Sequence, residues 1–178
     1  MGLAEILNSV SKDYNHKVYL GLGCNLGDRL GSLNQALVKL SGFGELAAVS
    51  RIYESAAWGY EDEHRYLNLV CCFYTSLDPL NLHRETLKIE RELGREGNKR
   101  KEGEAYRSRL IDIDILFFDK LVMRRPELTI PHPQIQLRNF VLKPMADIAQ
   151  DLVHPVLNRS IRELYFSSPD TSAIEVID

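Results

Sequence analysis

From His16 to Gly23 the run HKVYLGLG is rich in strand-forming residues and then punctuated by glycine. Beyond it, Leu30, Leu33, Leu37 and Leu40 recur at helical spacing behind Asp28, whose carboxylate is suited to accept the free N–H groups of a first helical turn. Together these predict a βα unit, with Gly42 and Gly44 ending the helix. Residues 46–57 and 66–76 read as two strands joined by a charged connection that contains Gly59. Ser76 or Asp78, with Pro79 next, opens a second helix carrying Leu82, Leu87, Ile89 and Leu93 and stopping at Gly94. Residues 95–109 have no apolar period and read as a long polar loop. The run RLIDIDILFF then sets Ile111, Ile113 and Ile115 on one face against Asp112 and Asp114 on the other, the period-two mark of a strand with one buried side.

The order βαββαβ predicts an α+β, ferredoxin-like sandwich. The C-terminal third carries Pro126, Pro131, Pro133, Pro144, Pro155 and Pro169, which predicts short helices and turns packed around that sheet. Residues 1–17 form an N-terminal extension, its first part a short helix or frayed tail, and residues 18–178 a single domain. At 178 residues the chain has room for one ordinary core and no second catalytic domain.

The longest apolar runs fall far short of the ~18–20 residues of a membrane helix. Met-Gly opens the chain, but Ile6 stands where a myristoylation signal needs Ser or Thr, and no signal-peptide pattern follows. A net charge of −3 leaves no basic field for nonspecific nucleic-acid binding, so an anionic ligand would need local charge. Cys24, Cys71 and Cys72 make an odd number, and the adjacent pair points to opposite faces of a strand; no disulfide framework is expected. No CxxC occurs, and the five histidines lack short ligand spacing, which argues against structural zinc. A monomer in a reducing, cytoplasmic setting is the expectation.

Asp112 and Asp114 are the most informative pair. Residues i and i+2 of a strand project the same way, with Cα atoms roughly 6.5–7 Å apart. Two convergent carboxylates suit hard cations bridged by phosphate oxygens. A solvent-facing strand is the commoner fate of an isolated Asp-x-Asp. Here a basic cluster arrives directly upstream: Arg95, Lys99, Arg100, Lys101, Arg107 and Arg109. Arg109 lies three residues before Asp112 and Arg95 ends the preceding helix, so both could reach one anionic ligand; guanidinium forks match phosphate oxygens. Metal plus arginine reads as phosphoryl transfer. No Walker-type GxxxxGK motif exists, and Gly21, Gly23 and Gly27 miss the dinucleotide spacing. Trp58, Tyr66 with Asn68, and Phe140 could wall and read a flat heteroaromatic ring, although each alone is more often a packing residue. His132, between Pro131 and Pro133, is either a phosphate contact or a turn residue without a role.

On these residues the chain resembles the 6-hydroxymethyl-7,8-dihydropterin pyrophosphokinase family of the folate pathway. The likeness covers nearly all of residues 18–155 through ordered segments: GCNLGD from Gly23, YES leading to Gly59, YLN at Tyr66 to Asn68, IERELGR at Ile89 to Arg95, RLIDIDIL at Arg109 to Leu116, PHP at Pro131 to Pro133, and RNFVLKP at Arg138 to Pro144. The resemblance implies transfer of a pyrophosphoryl group from ATP to the pterin hydroxymethyl group, with release of AMP and two Mg²⁺ ions. It implies Asp112 and Asp114 as metal ligands and Arg95 and Arg109 on the transferring phosphates. Ser55, Trp58 (largely through backbone), Tyr66, Asn68 and Phe140 would form the pterin pocket. Glu90, Ile115, Thr129, His132 and Arg138 would line the ATP site together with the two arginines.

The chain departs from the family at Tyr106-Arg107-Ser108, where Trp-Gly-Pro is usual, at Ala56 and Ala57, where proline is common, and at Glu127, where some members carry arginine. Two readings compete: a ferredoxin-like small-molecule binding module without catalysis, and a metal-dependent phosphohydrolase, which has no use for an aromatic pocket.

Overall fold

The computed structural model describes residues 14–60, 62–94 and 110–177. Along them run β1 (His16–Cys24), α1 (Arg29–Leu40), β2 (Gly44–Val49), β3 (Ile52–Ser55), β4 (Tyr66–Thr75), α2 (Pro79–Glu92) and β5 (Asp112–Phe118). A two-strand hairpin, β6 (Met123–Arg124) and β7 (Thr129–Ile130), then leads to α3 (Asn139–Ala149), α4 (Ile161–Phe166) and β8 (Ile174–Ile177). The expected N-terminal helix and the polar loop with Arg95 and Arg109 lie outside the described residues.

The two helices open where capping chemistry predicts. Asp28 accepts the Gly31 N–H at 2.9 Å, and Asp78 accepts those of Leu80 and Asn81 at 3.0 Å with Pro79 in the first turn. The single strand expected over 46–57 is instead two, β2 and β3, following one another along the same side of β4. Ser50 is the cause. Its Oγ accepts the Val70 N–H at 2.9 Å and donates to the Arg51 carbonyl at 2.7 Å, so a side chain replaces a ladder bond and the strand breaks phase.

The antiparallel sheet has the order β5–β1–β4–β3–β8, with β2 also on β4. β8 corrects the expectation of a C-terminal third without sheet strands: Ile174 to Ile177 pairs antiparallel with the open side of β3. One face of the sheet is sealed by α1 and α2 through Leu33, Ala36, Leu40, Leu82 and Ile89. The other is covered by α3 and α4 through Val141, Leu142, Met145, Ile161 and Leu164. Cys71 belongs to the first core and Cys72 to the second, as alternation requires. Between Tyr19 and Leu20 the β1–β5 register slips, leaving Leu116 without an opposite residue and turned, with Phe117, into the second core. Among the described residues, no helix is long and apolar enough to cross a membrane.

Candidate active site

The second helical layer stops short of the ends of β1, β4 and β5, and a cavity opens there. Its floor follows from register. Gly23 lies between Asp112 on β5 and Asn68 on β4, and Gly21 between Asp114 and Val70, so each row of opposed residues has a glycine at its centre. A Cβ at Gly23 would sit 3.2 Å from Asn68 Oδ1. The missing side chains therefore create the space between the aspartates and the polar residues of β4.

The walls bring together all five predicted acceptor residues: Ser55, Trp58, Tyr66, Asn68 and Phe140 line this cavity with Asp112, Asp114 and Arg138. Asn68, only 5% exposed, donates through Nδ2 to Ser55 Oγ at 3.0 Å, which fixes its amide. Gly59 takes a φ of +80° and turns the segment after β3 back toward β4. Arg138 precedes α3 and lays its guanidinium 4.8 Å from the Trp58 ring centre and 5.6 Å from that of Phe140. The Trp58 side chain itself thus builds the site. The composition alone did not single out Tyr60, which also lines the cavity; its signal was a third aromatic ring close to Trp58 and Tyr66.

A second cavity lies beyond Asp114, bordered by His83, Ile115, Glu127, Thr129 and His132. Asp114 borders both cavities, and its side chain is 42% exposed. His132 Nδ1 accepts the Gln134 N–H at 3.3 Å, and Nε2 lies 4.0 Å from Asp114 Oδ2. Burial, with a smaller contribution from the Arg138 charge, pushes the His132 pKa down to about 4, against the pull of Asp112. The ring is therefore neutral near pH 7, and Nε2–H points a donor at the aspartate end of the cavity.

Two predicted residues turn their side chains away from the cavities. Ile115 borders the second cavity but buries its side chain in the core under α1 and α2. Glu90 is 2% exposed, and its Oε1 accepts the Ile113 N–H at 2.8 Å. It thus holds the backbone between Asp112 and Asp114 from beneath. Since β5 pairs, among the described residues, only with β1 in the sheet, that carboxylate satisfies an N–H on the outer side of an edge strand.

Among the described residues no three His, Cys, Asp or Glu side chains gather to hold a metal. Asp112 and Asp114 still fit Mg²⁺, which usually takes one or two carboxylates and completes its shell with water and substrate phosphate. Their shared face, over a glycine floor and between two cavities, leaves room for those other ligands.

Residues 19–150 match the family model described as 7,8-dihydro-6-hydroxymethylpterin-pyrophosphokinase. A 2-amino-4-hydroxy-6-hydroxymethyldihydropteridine pyrophosphokinase of Aquifex aeolicus is 40% identical over 146 residues, 82% of this chain and 88% of the relative. That of Porphyromonas gingivalis is 44% identical over 140 residues, covering 78% and 93%. Among solved structures, a Plasmodium falciparum HPPK-DHPS triple mutant superposes with a TM-score of 0.68 at 19% identity, covering 88% of this chain. That likeness bears on the fold alone, and this chain spans 45% of that longer one.

Proposed function

The chain belongs to the 7,8-dihydro-6-hydroxymethylpterin-pyrophosphokinase family, and from that membership we propose how its two cavities divide the work of pyrophosphoryl transfer in folate biosynthesis. The glycine-floored cavity takes the reduced pterin. Trp58, Tyr66 and Phe140 supply flat apolar walls, and Asn68 with Ser55 reads the polar edge of the ring. The second cavity takes ATP along Thr129, His132 and the Ile115 backbone. The observation that carries this reading is Asp114, common to both cavities, which puts the carboxylate pair where a donor phosphate and an acceptor hydroxyl must meet.

Asp112 and Asp114 would hold Mg²⁺, in the number of two ions that the resemblance implies. When bound, Mg²⁺ neutralises the triphosphate and polarises the bond that breaks. The chain's own residues do the rest by positioning. Asn68 and the aromatic walls orient the hydroxymethyl group, neutral His132 offers an N–H to a phosphate oxygen without adding charge, and Arg138 brings a guanidinium into the acceptor cavity beside Trp58 and Phe140. Arg95 and Arg109 are assigned to the transferring phosphates by their matched positions in IERELGR and RLIDIDIL. The strand order supports a ferredoxin-like classification. A monomer in the cytoplasm is part of the same proposal, in keeping with three free, buried cysteines.

Protein, ATP, Mg²⁺ and 6-hydroxymethyl-7,8-dihydropterin together should yield AMP and pterin pyrophosphate in equal amounts. Inorganic phosphate released without dependence on pterin would overturn the reading in favour of a hydrolase.

A further inference from the structure

Asp62 lies in the connection between β3 and β4 and is the meeting point of donors from three directions. Asn25 Nδ2 donates to its Oδ2 at 3.0 Å, the Tyr60 hydroxyl donates to the same oxygen at 3.4 Å, and the His64 N–H donates to Oδ1 at 2.9 Å. Tyr60 in turn shares a hydrogen bond with the Tyr66 hydroxyl. Both tyrosines line the acceptor cavity; Asp62 and Asn25 do not. Asn25, only 2% exposed, follows β1 two residues beyond Gly23 of the floor. A carboxylate accepts only, so Asp62 orders the chain of bonds: Tyr60 donates to it, which leaves Tyr66 to donate to Tyr60.

We propose that Asp62 is a positioning residue of the acceptor site, a latch that ties the β3–β4 connection to the buried Asn25 and thereby sets the rings of Tyr60 and Tyr66 for a flat bicyclic heteroaromatic. Tyr60 is accordingly a third wall of that pocket and a determinant of which planar rings it admits. The inference rests on the acceptor reading above for the identity of the ligand, but the latch is a property of the ligand-free chain. Placement explains why a carboxylate is used. An aliphatic residue at 62 would take this acceptor from the Asn25 amide in a buried setting and from the Tyr60 hydroxyl, loosening the hold on the Tyr60–Tyr66 pair.

Two measurements on the intact chain test it. Amide hydrogen exchange of the ligand-free protein should show faster exchange across residues 56–65 in Asp62→Ala and in Asn25→Ala, with β1 and β4 as protected as in wild type. Trp58 is the sole tryptophan and lines the cavity, so its fluorescence reports titration with 6-hydroxymethyl-7,8-dihydropterin. Asp62→Ala is expected to weaken pterin binding about tenfold, with the KM for ATP changed by less than about twofold. Asp62→Asn, which keeps one acceptor oxygen, should fall between. Tyr60→Phe retains the ring and removes only the hydroxyl, so it should lose about threefold in pterin affinity with an unchanged melting temperature. Unchanged exchange of residues 56–65 in Asp62→Ala overturns the latch. Equal weakening of both substrates also overturns it, since that marks a general structural role. Faster exchange in the variants together with a wild type that binds no pterin leaves the latch standing and defeats the acceptor assignment.

Discussion

Gly23 shows how much of this site depends on an atom that is not there. Adding a methyl group brings it to 3.2 Å from Asn68 Oδ1, and that oxygen belongs to an amide already fixed on Ser55, so it has little freedom to yield. Gly23→Ala should therefore fold normally and lose about tenfold in pterin affinity by Trp58 titration, with ATP binding unaltered. At Gly21 the added atom would first meet the flexible Leu116 side chain at 3.4 Å, and Gly21→Ala should lose less. Asp112→Asn and Asp114→Asn should each lower kcat by about a hundredfold or more without moving the melting temperature; near-normal turnover in either would remove the metal assignment. Alternation alone made the aspartate pair legible in the sequence. The glycine floor was not, because its meaning depends on which residues face Gly21 and Gly23 across two neighbouring strands, and register is a tertiary fact.

At the scale of elements, helices announced themselves through caps and period, and α1 and α2 begin at the residues that chemistry indicates. Strands were less legible where a single side chain intervened. Ser50 divides β2 from β3 by bonding the Val70 N–H, and β8 depends on an open side of β3 that four C-terminal residues happen to fit. Glu90 illustrates the same limit: resemblance places it with the nucleotide, and its grip on β5 through the Ile113 N–H is a contact that only the folded strand reveals. Glu90→Leu should cost about 1–3 kcal/mol in urea unfolding by leaving that buried N–H unpaired, and should lower kcat as Asp112 and Asp114 lose their backbone anchor. Glu90→Gln keeps an acceptor and should recover most of both. A second clamp joins β3 to its surroundings: Glu54 bonds Arg29 at 2.8 Å and Arg65 at 3.0 Å. The Arg29 hydrogen bond chiefly, with the charges of Arg29 and Arg65, holds the Glu54 carboxyl below its usual 4.5. Its contribution is fully present above about pH 4.5 and disappears as pH falls through the lowered folded value. Glu54→Gln should accordingly flatten the loss of stability below pH 4.5 in acid titrations monitored by circular dichroism.

For the molecule as a whole, the two helical layers are unequal partners of one sheet. α1 and α2 pack on a face whose residues are almost all apolar, and this layer reaches the site only at its margin, through Glu90 on the Ile113 N–H and His83 at the second cavity. α3 and α4 pack on a face that is apolar toward one end and carries the cavity at the other, so the same layer is both core and rear wall: Leu142 is fully buried, while its neighbours Phe140 and Val141 line the site. Truncating a fully buried leucine to alanine in either layer should destabilise the chain by about 2–5 kcal/mol, because the transfer and cavity costs do not depend on which face is involved. The functional outcomes should differ. Leu33→Ala, in α1, leaves the sheet between the vacancy and the site and should lower the melting temperature with both substrate affinities intact. Leu142→Ala opens its vacancy in the core against which Phe140 and Val141 pack, and should weaken pterin binding as well as stability. Measured at a temperature where both variants are fully folded, equal pterin affinities would show that α3 does not brace the pocket; a loss confined to Leu142→Ala would show that α3 sets the geometry of the acceptor cavity while the packing around Leu33 supplies stability alone.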